Sequence, residues 1–180
     1  MVDFTICSLE LDDGTWSAFE ADWKAQCAKA GEGYDDYAPN SLDVLRGIVD
    51  GRVPPVGPPD RVGVSALRSD EDGCFYAACM LNLVRLPRLT GMTLRVRHVI
   101  VSPLIDFGIM DPNLYADVLI GLVGGVIHIS ESIFEANNIH FHLRSPADID
   151  FFRAFGKALD GADVFRSVQN HGAWLHIEKT

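Results

Sequence analysis

Apolar and polar residues follow two periods along this chain, and these periods predict strands and helices in turn. Runs that alternate every second residue or are rich in β-branched residues predict strands, and apolar residues spaced by three or four predict helices. Strands are expected at 4–9, 61–67, 74–86, 93–102, 139–143, 162–169 and 173–178. Helices are expected at 15–30, 41–50, 112–133 and 146–159. The predicted order is therefore β-α-α-β-β-β-α-β-α-β-β.

The segment from Thr93 to Leu159 organises this prediction, because it holds a strand, a loop, a helix, a second strand and a second helix. Pro103 ends the first strand, since proline has no amide hydrogen for a ladder. Asp111 and Pro112 then start a helix, because the carboxylate accepts hydrogen bonds from free amides and proline fits the first helical position. A helix that begins just past a buried strand directs free amides at that edge, which suits an anion.

The element order predicts an α/β fold: a mixed, twisted sheet with helices on both faces. Its middle strands should splay where Val101, Ser102 and Pro103 end the fourth strand, and ligands tend to bind at such strand ends. A chain of 180 residues is expected to form a single domain with a core of ordinary size.

Charge and composition narrow the classes of function. The net charge of −10 argues against a partner that is duplex nucleic acid or an anionic membrane surface. The four cysteines show no Cys-x-x-Cys spacing, so we expect reduced thiols and a cytoplasmic location. The amino terminus lacks a basic leader, and the apolar stretch 118–133 is too short and too rich in glycine for a membrane span.

Two short motifs resemble the GNAT superfamily of acyl-CoA-dependent N-acyltransferases. Val101-Ser102-Pro103 resembles the end of that family's fourth strand, and the segment 150–156 resembles its late helix, which ends in a Tyr-x-x-x-Gly-type motif. As element order, the resemblance extends over nearly the whole chain. It implies a three-layer α/β/α fold with a splayed central sheet. It also implies acetyl-CoA or another acyl-CoA as co-substrate and a small-molecule amine as acyl acceptor, and it is compatible with a homodimer.

The resemblance also implies a place for the carrier. In the family, backbone amides of the loop after the fourth strand bind the pyrophosphate of coenzyme A. The residues expected to bind the carrier here are Val101, Ser102, Phe107, Gly108 and Ile109.

For the chemistry itself, His98 is the best candidate for the base, by residue type and by its place on the fourth strand. The competing interpretation of His98 is a structural histidine at the core or the sheet edge. The acidic stretch from Tyr34 to Tyr37 would attract a cationic amine.

This sequence departs from the family pattern at several positions. Asp106 stands where the family has Arg or Gln, and Ile109 and Asp111 stand where it has small residues. A carboxylate about 5 Å from a phosphate costs roughly 3 kcal/mol at an effective dielectric of about 20. Phe152 replaces the tyrosine that serves the family as general acid, and phenylalanine has no proton to donate. The alternative is therefore a catalytically inactive protein of the same fold, which binds a small molecule or a protein partner.

A metal site is the remaining candidate. His140 and His142 lie two apart on one strand, so they share a face, and either His98 or His128 could add a third ligand for zinc. No carboxylate or cysteine has the spacing that would complete such a site, so no metal is predicted.

Overall fold

A computed structural model describes residues 3–53, 61–143, 146–160 and 165–180 of the 180-residue chain. The strands are β1 (Phe4–Ser8), β2 (Arg61–Ser69), β3 (Phe75–Val84), β4 (Thr93–Val101), β5 (Asn138–His142), β6 (Phe165–His171) and β7 (Trp174–Lys179). The helices are α1 (Thr15–Ala30), α2 (Pro39–Val49), α3 (Pro103–Asp106), α4 (Pro112–Ile129) and α5 (Pro146–Asp160), with a 3-10 turn at Tyr34–Asp36. The predicted α/β class is confirmed, and every predicted strand and helix is present.

The strands form one mixed sheet in the order β1-β2-β3-β4-β5-β7-β6. β4 and β5 are parallel, whereas β1–β2, β5–β7 and β6–β7 are antiparallel pairs. The chain divides into two compact units, formed by residues 1–54, 63–79 and 100–126 and by residues 55–62, 80–99 and 127–180. β2, β3 and β4 contribute residues to both units.

In the first unit, helices cover both faces of the sheet, as predicted. The ring of Phe75 lies edge-on to Phe19 of α1 at 5.7 Å. Its neighbour Tyr76 points to the opposite face, where its ring lies 5.6 Å from that of Phe4. Gly121 of α4 packs against the same Phe4 ring, so closely that an added Cβ would approach it to 2.9 Å. α1 and α4 therefore enclose this part of the sheet as two outer layers.

One face of the helix α4 is buried in the core. By length and composition alone it would suit a membrane span, but Val118, Leu122 and Val126 are completely buried within the protein. Asp111 caps its start as predicted, because the Asp111 carboxylate accepts a 2.9 Å hydrogen bond from the amide of Asn113. The helix ends at Ile129, four residues earlier than the apolar spacing predicts.

In the second unit, α5 packs on one face of β5, β6 and β7. The ring of Phe152 stacks with Phe141 of β5 at 5.7 Å, and Gly156 lies against Leu175 of β7. The side chains of this face are fully buried: Leu94, Val96, Ile139, Phe141, Leu175 and Ile177. Alternation along the strands therefore directs the intervening polar residues to the other face.

Three parts of the chain differ from the prediction or lie beyond it. The sequence pattern gave no helix after Pro103, yet proline both ends β4 and occupies the first position of α3. α2 begins at Pro39 and not at 41, for the same reason. The sequence also predicts an extended, proline-rich crossing at 52–59, a helix cap at Ser145 and a turn at Gly161, and these lie largely outside the described residues.

Candidate functional site

The end of β4 in the first unit is the place where the carrier is expected. The amide of Ser102 donates a 2.8 Å hydrogen bond to the carbonyl oxygen of Tyr76, which fixes the strand end. The carbonyl of Ser102 then accepts hydrogen bonds from the amides of Ile105 and Asp106, at 3.1 and 3.0 Å. The chain therefore passes from the end of β4 at Val101 directly into the helical turn of α3.

The amides after this turn are already hydrogen-bonded. Those of Phe107, Gly108 and Ile109 donate, each at 2.9 Å, to the carbonyl oxygens of Pro103, Ile105 and Leu104 respectively. Gly108 adopts a left-handed backbone with φ of 69°, as glycine commonly does just after a helix. The three amides predicted to bind pyrophosphate therefore close the turn on itself, while the side chains of Phe107 and Ile109 remain exposed.

Tyr37 connects the acidic stretch from Tyr34 to Tyr37 with the end of β4 through a side-chain hydrogen bond. Its hydroxyl donates a 2.6 Å hydrogen bond to the carbonyl oxygen of Val101, and its ring lies 5.5 Å from that of Phe107. Burial, followed by the nearby carboxylate of Asp106, raises the pKa of Tyr37 well above its ordinary value. Tyr37 is therefore a neutral donor at any physiological pH, and nothing local in the sequence pointed to this contact.

Ser102 brings a buried hydroxyl to the same place. Its side chain is completely buried, and its oxygen has no hydrogen-bond partner among the described residues. Buried hydroxyls are usually paired, so one that lacks a partner at a strand end is a candidate contact for a ligand. The predicted carrier-binding residues Val101, Ser102, Phe107, Gly108 and Ile109 all belong to this unit.

His98, the predicted base, belongs to the second unit and has an unusual backbone. Its φ of 50° lies in the left-handed region, which is rare for a non-glycine residue inside a strand. The parallel ladder with β5 covers only Thr93–Val96 paired with Asn138–Phe141, so it ends two residues before His98. The strands therefore stop pairing earlier than the predicted splay at 101–103, and a strained residue follows the break.

An acid-lined cavity lies beside the 3-10 turn in the first unit. It has a volume of about 140 Å³. Its lining residues are Tyr34, Asp35, Pro39, Leu42, Asp43 and Arg46. The carboxylates of the lining are Asp35 and Asp43. The Arg46 guanidinium, which also lines the cavity, forms an ion pair with Glu20. This cavity contains part of the acidic stretch from Tyr34 to Tyr37, which is expected to attract a cationic amine.

The other residues considered for catalysis or metal binding have structural roles. The Phe152 ring is 2% exposed and packs on Phe141, so it is part of the core. His140 stacks on His176 with ring centroids 3.7 Å apart, a partner that its spacing from His142 did not indicate. Among the described residues, no three ligating side chains are grouped so that they could hold a metal ion.

Three solved acyltransferase structures are similar to this chain. Glucosamine-6-phosphate N-acetyltransferase from Arabidopsis thaliana has 14% identity over 86% of this chain and 90% of its own, with a TM-score of 0.43. A GNAT-family acetyltransferase from Streptococcus agalactiae 2603 has 13% identity over 98% and 94%, with a TM-score of 0.43. An acyl-CoA N-acyltransferase from Pseudomonas aeruginosa has 12% identity over 99% and 98%, with a TM-score of 0.40.

These values indicate a distant likeness. No protein-family model matches the chain, and the comparison with curated proteins gives no match.

Proposed function

We propose that this chain is a divergent N-acyltransferase of the GNAT type, which transfers an acyl group from acyl-CoA to a small-molecule amine. The observation that carries the proposal is the break between β4 and β5. Their parallel ladder ends at Val96 and Phe141, and His98 follows with a left-handed backbone. Backbone strain of this kind costs about 1–3 kcal/mol and concentrates at functional sites.

The break offers a binding edge for an extended ligand. β4 continues for five residues beyond the ladder, from Arg97 to Val101. Strand edges bind extended chains through main-chain hydrogen bonds. The arm of coenzyme A is an extended chain with two amide groups, so it has the donors and acceptors that such an edge requires.

His98 supplies the proton acceptor in this proposal. An amine in its ammonium form must lose a proton before its nitrogen can attack, and the imidazole takes that proton directly or through a water molecule. The nitrogen then attacks the thioester carbonyl carbon, so a C–N bond forms. The C–S bond breaks, the sulfur leaves with its electron pair, and the nitrogen loses its second proton to the thiolate or to water as the amide forms.

The leaving group needs little help from the protein. Phe152 cannot donate a proton, but a thiol has a pKa of about 8.5, so the thiolate of coenzyme A is a moderate leaving group near pH 7. Water can protonate it afterwards. The substitution of the family's tyrosine therefore lowers the expected rate without removing the reaction.

The amine itself is attracted by charge. Asp35 and Asp43 line the cavity beside the 3-10 turn, and the whole chain carries a net charge of −10. A cationic amine is drawn to such a surface, and an anionic carrier is repelled from it. We therefore expect weak binding of acyl-CoA that strengthens as salt screens the repulsion.

One specific observation favours a second candidate function, an inactive protein of this fold that binds another small molecule or a partner. The amides of Phe107, Gly108 and Ile109 donate within their own turn, and Asp106 stands beside it where an anion would have to bind. A carrier phosphate would have to open this turn or use other donors.

Titration calorimetry with acetyl-CoA and longer acyl-CoAs separates the two candidates. Saturable binding by the wild-type protein supports the acyltransferase, and no heat at millimolar ligand contradicts it. The variant Asp106→Arg replaces the repelling carboxylate, and Asp12→Arg makes the same charge change at an exposed position before α1. Binding by Asp106→Arg alone, with none by the wild-type protein or by Asp12→Arg, would identify the second candidate.

A further inference from the structure

The sheet in the second unit has one face that is polar and rich in cations. The opposite face is the apolar one that packs against α5. Alternation along the strands places these side chains on the polar face: Arg95 and Arg97 of β4, His140 and His142 of β5, Gln169 and His171 of β6, and Trp174 and His176 of β7. Two arginines and four histidines on one face are an unusual concentration for a chain with a net charge of −10.

Strand register aligns four of these residues in a single row. Arg95 is paired with His140, His140 with His176, and His176 with Gln169. Neighbouring strands lie about 4.8 Å apart, so side chains along such a row are in mutual reach. The His140 and His176 rings stack at 3.7 Å, and His171 lies 4.9 Å from His176.

The row passes from the interior to solvent. His140 is only 8% exposed, Arg95 and His176 are half-buried, and Gln169 is exposed on β6. Next to Gln169, the exposed His171 ring makes a 3.0 Å hydrogen bond with its amide oxygen. A small solute can therefore approach the inner cations from the β6 side.

The two arginines of this face lack an anionic partner in the described residues. The arginines that form ion pairs in the described residues are Arg46, Arg52, Arg153 and Arg166. The Arg95 guanidinium lies 4.9 Å from the ring of Trp174, and the Nε atom of Arg97 is buried without a hydrogen-bond partner. A half-buried cation without an anion is unfavourable, because the attraction that would offset its lost hydration is missing.

The directions of the pKa shifts on this face agree with this excess of positive charge. Burial and then Arg97 lower the pKa of Arg95. Burial, then His176, Arg95 and His171, lower the pKa of His140 to about 4. Glu178, the carboxylate on the same face of β7, is bound to Arg166 at 3.2 Å. An added anion would relieve the repulsion among these groups.

We propose that this polar face binds an oxyanion, the phosphoryl or carboxylate group of a small ligand, between Arg95, Arg97 and the stacked pair of His140 and His176. A planar guanidinium binds two oxyanion oxygens at once, and a neutral imidazole still has one N–H to donate. The site is independent of acyl transfer, because a chain that binds no acyl-CoA would retain all of these groups.

The test follows the histidine rings of the full chain by NMR at pH 7 while sodium phosphate is added, with sodium chloride at equal ionic strength as the reference. A second arm uses sodium acetate. We expect phosphate to shift the ring signals of His140 and His176 to saturation and to leave those of His128, an exposed residue of α4, unchanged. Saturation by both anions identifies a carboxylate-type site, and saturation by phosphate alone identifies a phosphoryl site.

Matched variants make the result specific. Arg95→Gln should weaken phosphate binding roughly tenfold, as expected for the loss of one charge-assisted contact. Arg97→Gln should weaken it similarly if Arg95→Gln fails to fold. Arg85→Gln makes the same charge change at an exposed residue after β3 and should leave the affinity within about twofold. Shifts that never saturate with either anion, or an equal loss in Arg85→Gln, would overturn the proposal.

Discussion

The hydroxyl of Tyr37 donates a 2.6 Å hydrogen bond to the carbonyl oxygen of Val101, the last residue of β4. The two residues are 64 apart in sequence, and the Tyr37 side chain is buried. This single bond ties the acidic stretch before α2 to the strand end at which the carrier is expected. It also occupies a carbonyl group that would otherwise be available at that strand end.

We expect Tyr37→Phe to lower the free energy of unfolding by about 1–3 kcal/mol, because it leaves the Val101 carbonyl without its donor. Tyr34→Phe is the matched control, since the buried Tyr34 hydroxyl has no hydrogen-bond partner among the described residues. Its removal should be neutral or slightly stabilising. Urea unfolding of both variants measures the difference, and equal losses of stability would show that the Tyr37 bond contributes nothing.

The sequence predicts the sheet better than the site, and β4 shows why. Alternation, β-branched residues and a following proline place its ends at Thr93 and beyond Val101, and the structure has Thr93–Val101. These signals are local. The left-handed backbone of His98 is not a local signal, because several residue types can adopt it only when tertiary contacts require it.

The same distinction applies to the contacts of the site. Tyr37 with Val101 and His140 with His176 are pairs distant in sequence, so spacing could not predict them. The turn at α3 was missed for another reason. Pro103 predicts the end of a strand, but proline also favours the first position of a helix, and the structure combines both roles at this residue.

The glycines of α4 provide a test of its packing on β1. An alanine Cβ at Gly125 would lie 2.8 Å from Cβ of Ile6, which is too close to the backbone to rotate away. We expect Gly125→Ala to lower the free energy of unfolding by about 1–3 kcal/mol, less a gain of up to about 1 kcal/mol in helix propensity.

Gly124→Ala is the control, because nothing lies within 4 Å of its added Cβ. It should raise stability by up to about 1 kcal/mol. Thermal melts of the two variants therefore should shift in opposite directions. Two shifts of the same sign would contradict the close approach of α4 to Ile6.

The stacked pair of histidines should make stability depend on pH. Burial, then His176, Arg95 and His171, lower the pKa of His140 from 6.5 to about 4, so between these values the unfolded chain binds a proton that the folded chain does not. The contribution of His140 to the free energy of unfolding is therefore fully present above pH 6.5, and it falls as the pH drops toward 4. The loss is at most roughly 3 kcal/mol, reduced by screening at the open side of the pair.

His140→Gln should flatten this pH dependence, because glutamine does not titrate. His128→Gln removes an exposed histidine of α4 and should keep the slope of the wild-type protein. Urea midpoints measured from pH 7.5 to pH 4 compare the three proteins. If His140→Gln keeps the full slope, the histidine pair is not its source.

The central claim is that this chain transfers an acyl group with His98 as the base, and release of the free thiol of coenzyme A measures that transfer most directly. We expect the wild-type protein to release thiol from acetyl-CoA or a longer acyl-CoA only when a primary amine is present. His98→Asn keeps a residue that tolerates the left-handed backbone and removes the base. It should bind acyl-CoA as the wild-type protein does and turn over roughly 10²- to 10⁴-fold more slowly, whereas His128→Asn should be unchanged. No amine-dependent release across a panel of small amines, or undiminished release by His98→Asn, would contradict this account.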